Sequence, residues 1–212
     1  MKKRVQRAAA MFGLVAMAAA AVAAADNTFL STWKSPDAGP LNFAGRKVAA
    51  LVIVEDENLR MSAEEALARE ITARGPVGVA ANRFIPREEL ADKDRAKAWF
   101  ERTGVQGAVV MRLVGADTQK VYSSVVYSSG YYGNVWDYYG YGWTTVTPIG
   151  KGRNATSVTV ETLLYDITSG KPIWAGVTRT ADVKDTTSYM KGLAKDIGKE
   201  LEKAGLARKG GK

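Results

Sequence analysis

Apolar runs of strand length recur along this chain in step with segments of helical periodicity, and that alternation restricts it to the α/β class. Lys47 to Val54 (KVAALVIV) is apolar throughout after its first residue, as expected of a strand covered on both faces. Ser62-x-x-Glu65 has the form of a capping box, in which each side chain satisfies a free amide of the first helical turn. The helix predicted from it sets Ala63, Ala66, Leu67 and Ile71 on one side and ends near Gly75. Val77 to Ile85 reads as a second strand, and Pro86 suits the start of a short helix. Asp92 then caps a helix running to Thr103, with Ala96, Trp99 and Phe100 on one face and Gly104 as its stop. Gly107 to Val114 is a third strand, extended past a bend towards Val126. Val158–Ile167, the turn Thr168–Lys171 and Pro172–Thr180 form a hairpin. The last helix repeats Tyr189, Leu193, Ile197 and Leu201 at intervals of four before Gly205. The expected fold is a single α/β domain over residues 47–206. Its mixed sheet has about five strands, a parallel βαβαβ half plus an antiparallel hairpin, with helices packed over it.

The start of the chain carries an address. Lys2, Lys3, Arg4 and Arg7 precede an apolar stretch from Ala8 to Val22, and Ala23-Ala24-Ala25 supplies the small residues that a signal peptidase pocket admits. Residues 1–25 therefore read as a signal peptide cleaved near Ala25, and the protein as periplasmic or secreted. An uncleaved anchor is the alternative, since the run approaches the roughly 20 apolar residues that span a bilayer. Its alanine content and its cleavage pattern favour removal. Residues 26–46 read as an extended leader pinned by Trp33 and Phe43, and residues 207–212 as a disordered basic tail.

Composition excludes several chemistries. The chain has no cysteine and no histidine, which removes disulfides, thiol catalysis, a lipidated cysteine, imidazole-based triads and thiolate or imidazole zinc sites. The net charge of +8 does not mark a polyanion-binding surface. Its excess sits in the signal segment and in Lys203, Arg208, Lys209 and Lys212, while the body between is balanced, so no nucleic acid is expected as a partner. The S-x-x-K pattern at Ser188–Lys191 lacks the companion motifs of penicillin-binding enzymes. The pairs Gly150-Lys151, Gly170-Lys171 and Gly198-Lys199 lack the rest of a phosphate loop. Glu55-Asp56-Glu57 stands at the carboxyl end of the first predicted strand, where a calcium or magnesium ion is conceivable, but a solvated loop favouring the next helix explains it as well. Asn154-Ala155-Thr156 is a glycosylation sequon with no further support. No catalytic residue, cofactor or metal is assigned, and the protein is expected not to be an enzyme.

The distinctive segment is YSSVVYSSGYYGNVWDYYGYGW, Tyr122 to Trp143, inside an insertion spanning 122–153. It holds most of the chain's nine tyrosines. Phenol hydroxyls need partners and glycines supply no volume, so the whole run is not expected to enter a core. Three readings stay open: a loop covering itself, a contact surface for a protein or for sugar rings, and peripheral insertion at a membrane. The expected partner-binding residues are Tyr131, Tyr132, Trp136, Tyr138, Tyr139, Tyr141 and Trp143.

One further pattern runs through Glu89-Leu90-Ala91-Asp92 and Trp99-Phe100-Glu101-Arg102-Thr103-Gly104 into Val105-Gln106-Gly107-Ala108-Val109-Val110. It resembles an uncharacterised family of exported proteobacterial envelope domains, often lipoproteins. It is also similar to the amino-terminal domain of the Tol-Pal translocation protein and to activators of penicillin-binding proteins. That family carries a Tyr/Gly-rich insertion and a later strand matched here by Ile173-Trp174-Ala175-Gly176. The resemblance covers roughly Lys47 to Leu206 and implies a non-enzymatic envelope role, with no catalytic residues to carry over. The missing cysteine departs from its lipidated members. The expected function is an envelope accessory or interaction protein whose partner is an envelope protein. The alternative is a module binding peptidoglycan or capsule glycan. The sequence sets no oligomeric state.

Overall fold

The computed structural model describes residues 27–38, 43–114, 130–146, 157–181, 183 and 185–208. The signal segment, the predicted extension of the third strand to Val126, the sequon and the end of the basic tail lie outside them. Among the described residues no helix is long and apolar enough to cross a membrane.

The elements are β1 (Thr28–Lys34), β2 (Lys47–Ile53), α1 (Glu57–Thr72), β3 (Val77–Ala80), α2 (Lys93–Thr103), β4 (Gly107–Val114), α3 (Val135–Thr144), β5 (Ser157–Asp166), β6 (Pro172–Ala181) and α4 (Thr186–Lys203). They build one mixed six-stranded sheet in the order β1-β6-β5-β4-β2-β3. Strand β2 pairs in parallel with both β3 and β4. The β4–β5, β5–β6 and β6–β1 pairs are antiparallel. The α/β class, the parallel half and the hairpin are as the pattern of runs predicts.

Two connections set the layers. The chain steps from β2 outwards to β3 through α1, then back past β2 to β4 through α2. Connections of one hand that reverse direction across a sheet must lie on opposite faces. Accordingly, Leu59, Ala63, Leu67 and Ile71 of α1 join one core with Val48, Ala50 and Val52, together with Leu193 and Ile197 of α4. Ala96 and Phe100 of α2 join the other with Ala49, Leu51 and Ile53. Alternation along β2 divides its side chains between the two cores.

Four differences from the sequence reading have physical causes. The leader supplies the sixth strand: β1 lies on the sheet edge beside β6, with alternate residues half-buried, and its register shifts between Phe29 and Ser31. Trp33 packs against one core and Phe43 is buried in the other. Helix α1 begins ahead of the capping box, because the Asp56 side chain accepts the Leu59 amide at 2.9 Å and wins the N-cap. Strand β3 ends at Ala80, where Ala81–Arg83 turns as a 3₁₀ segment. The fourth difference is the aromatic segment, whose described part from Gly130 onward is helical.

Candidate aromatic contact site

A short 3₁₀ turn at Gly130–Gly133 leads into α3, whose N-cap Asn134 accepts the Trp136 amide at 2.8 Å. The Val135 amide donates to Gly170 O at 2.9 Å, tying the helix start to the β5–β6 turn. Gly170 has φ +70° there, the left-handed conformation that glycine takes without steric cost. Farther along, the buried Gly142 faces the sheet: a Cβ on it would stand 2.6 Å from Ile53 Cδ1. Gly142 in the aromatic run thus serves close approach of the helix to the sheet.

The helix covers an ion pair in the sheet. Arg112 of β4 and Glu161 of β5 are direct cross-strand partners, 2 % and 0 % exposed. Arg112 Nη2 and Nε donate to Glu161 Oε2 at 2.6 and 3.2 Å. The Tyr138 hydroxyl donates to the same oxygen at 3.1 Å, and the Tyr132 hydroxyl to Oε1 at 2.6 Å. Arg112 Nη1 donates to Thr145 Oγ1 at 2.8 Å, just past the end of α3. Tyr139 donates to Leu90 O, and Tyr165 donates to Tyr132 O at 3.0 Å. A buried charge needs a partner and a full set of hydrogen bonds, and the 3₁₀ turn and the aromatic helix together supply both carboxylate oxygens with phenol donors.

The expected contact residues therefore divide. Tyr132, Tyr138 and Tyr139 are 3 %, 0 % and 1 % exposed, and their placement on a partner-facing surface is corrected. Each hydroxyl finds an internal acceptor, which removes the objection to burying it. Tyr131, Trp136, Tyr141 and Trp143 stay partly exposed. Tyr131 and Tyr141 stack with centroids 3.7 Å apart at 21°. Trp136 meets Phe100 of α2 edge to face at 5.3 Å, and the Arg112 guanidinium lies 4.8 Å from the Tyr141 centroid. These rings are held in place before any partner arrives.

Burial raises the phenols of Tyr132 and Tyr138 well above the ordinary range, reinforced by the Glu161 carboxylate, and burial raises Tyr139 likewise. Tyr189 of α4 is pushed up to about 12, mainly by burial. Each folded-state value exceeds the ordinary 10.0, so this stability is fully present below pH 10 and is lost as pH rises through the folded values. These four tyrosines are expected to ionise together, in one steep step coincident with loss of far-ultraviolet circular dichroism. Gradual ionisation of all nine tyrosines near pH 10 with the fold intact would contradict the packing.

The other sequence candidates do not converge. Asp56 is committed to its cap, and Glu57 pairs with Arg87 at 2.6 Å. Among the described residues no group of three or more acidic side chains is placed to hold a metal ion. Ser188 and Lys191 are both exposed at the start of α4, without the desolvation that activates a Ser-Lys pair. The Arg112–Glu161 pair escaped the sequence reading. Its signal is one charged residue inside each of two apolar runs, GAVVMRLV and VTVETLLY.

No family model and no curated protein matches the chain. Among solved structures it is similar to the PelC dodecamer from Paraburkholderia phytofirmans, at 15 % identity and TM-score 0.45, covering 87 % of this chain and 99 % of that one. A lipoprotein of Neisseria meningitidis aligns at 12 % identity and TM-score 0.35, covering 75 % of this chain and 96 % of that one.

Proposed function

We propose that this protein is a non-enzymatic accessory protein of the cell envelope, exported by its amino-terminal segment, which holds a protein partner on the outer rings of the aromatic helix. One observation carries the reading: the segment spends Tyr132, Tyr138 and Tyr139 on anchoring itself and leaves Tyr131, Trp136, Tyr141 and Trp143 at the surface. Preorganised aromatic rings give large contact area with little entropy left to lose, which is the character of interface hot spots. A protein partner is favoured over a stacked sugar at Tyr141 and Trp136. Tyr141 already engages Tyr131 and Arg112, and Trp136 is held by Phe100. The lack of histidine and cysteine is compatible with a binding role. The test is photo-crosslinking in living cells from a probe replacing Trp136, which is expected to give discrete protein adducts.

A further inference from the structure

A second candidate site, which shares Trp143 with the aromatic surface, lies where the chain leaves β2. In open α/β sheets the crevice beyond the carboxyl ends of the strands, at the point where connections diverge to opposite faces, is the usual ligand site. Here α1 departs to one face and α2 covers the other. At this point the start of α1, residues 87–91 ahead of α2 and Trp143 of α3 border a cleft of about 150 Å³. Glu55, Glu57, Arg60, Arg87, Leu90 and Trp143 line it.

Arg60 is the informative residue. Its side chain is only 5 % exposed, yet its guanidinium is poorly satisfied. Nη1 reaches the two oxygens of Glu64 at 3.4 Å each, and Nη2 approaches Glu57 Oε1 only to 3.9 Å. Among the described residues neither Nη2 nor Nε donates a hydrogen bond. Glu64, 0 % exposed, keeps Arg60 as its charged partner through Nη1 alone. It already accepts from the Val52 amide at 3.2 Å and from the Asn82 amide and Asn82 Nδ2 at 2.8 Å each. A guanidinium carries five donors in a planar fork suited to a carboxylate, and this fork borders the cleft with donors to spare.

The rim completes the arrangement. Arg87 is 75 % exposed and binds Glu57 Oε2 at 2.6 Å, so Glu57 stands between the two arginines as a tethered carboxylate. Leu90 and the Trp143 indole give an apolar wall, and Glu55 adds an acceptor. We infer that the cleft binds a sugar acid. The ligand carboxylate takes the place of Glu57 between Arg60 and Arg87, the carbon face of the ring lies on Trp143, and a ring hydroxyl donates to Glu55. A neutral sugar lacks the group that the arginines recognise.

The test uses the full exported chain with 15N-labelled indoles, titrated with D-glucuronate and with D-glucose. Glucuronate is expected to shift the Trp143 indole resonance saturably, and glucose to leave it in place. Arg87→Gln is expected to weaken glucuronate binding about tenfold, the scale of one charge-assisted contact. Glu57→Gln, which removes the internal competitor, is expected to tighten it. Both side chains lie at the rim, so neither variant threatens folding as Arg60→Gln would. No saturable shift, an equal response to glucose, or unchanged affinity in Arg87→Gln would each overturn the assignment.

Discussion

Glu161→Ala is expected to destabilise the domain by about 3–5 kcal/mol, the cost of leaving a buried charge without its partner. The guanidinium of Arg112 would lose both donations it makes to this carboxylate, at a position 2 % exposed. Tyr138 and Tyr132 would lose their acceptor in the same step. Domains of this kind have a total stability of about 5–15 kcal/mol, so the variant would keep only part of its margin. A fall in Tm of about 6–20 °C is expected for a chain of this length. The sharper reading is the double variant Arg112→Met, Glu161→Leu. Replacing a buried pair by apolar residues of similar volume is often close to neutral, so the double variant is expected to be more stable than Glu161→Ala. Calorimetry or denaturant unfolding measures both. Equal losses in the two variants would show that the carboxylate matters through its phenol donors rather than through the arginine.

Phe100→Ala is the second large effect, and it separates anchoring of the aromatic helix from the rest of the fold. Phe100 is 1 % exposed and lies between Phe84 and Trp136, edge to face at 5.2 and 5.3 Å. Truncating a buried phenylalanine costs about 3–5 kcal/mol in transfer and cavity terms, with edge-to-face pairs included in the upper part of that range. The loss is expected to concentrate where the ring sits. Hydrogen exchange should accelerate in α3 and in α2, while β4, β5 and α4 change only with the global stability. Unchanged protection in α3 would mean that the ion pair and the Val135–Gly170 bond hold the helix without Phe100.

Much of this fold is legible in the chain because its central strands are covered on both faces. Continuous apolar runs such as KVAALVIV and GAVVMRLV have few alternatives to a buried strand. Local punctuation was equally readable: Asp92 caps α2, Gly104 ends it, and Gly170 turns the hairpin. The misses fall where tertiary contacts outweigh local pattern. TFLSTWK looks like polar leader because an edge strand buries only alternate residues, and only partly. Asp56 and Ser62 are both residue types that cap helices; the earlier one prevails because it accepts the Leu59 amide and Leu59 gains burial by being helical. The aromatic run is not expected from its sequence to enter a core whole, because its hydroxyls need partners. The partners exist, but they are one carboxylate on a strand and one backbone carbonyl, brought there by strand register and loop placement. A sequence displays Arg112 and Glu161 as isolated charges; only the β4–β5 register makes them a pair.

The division of the rings into anchors and contacts is tested most directly by paired photo-crosslinking in living cells. One probe replaces the half-buried Trp136 and the other the exposed Lys199 on α4, across the sheet. Discrete protein adducts from position 136, absent from position 199, are the expected result. The same adducts from both positions, or none from position 136 while the protein remains folded and exported, would contradict the aromatic helix as the contact surface.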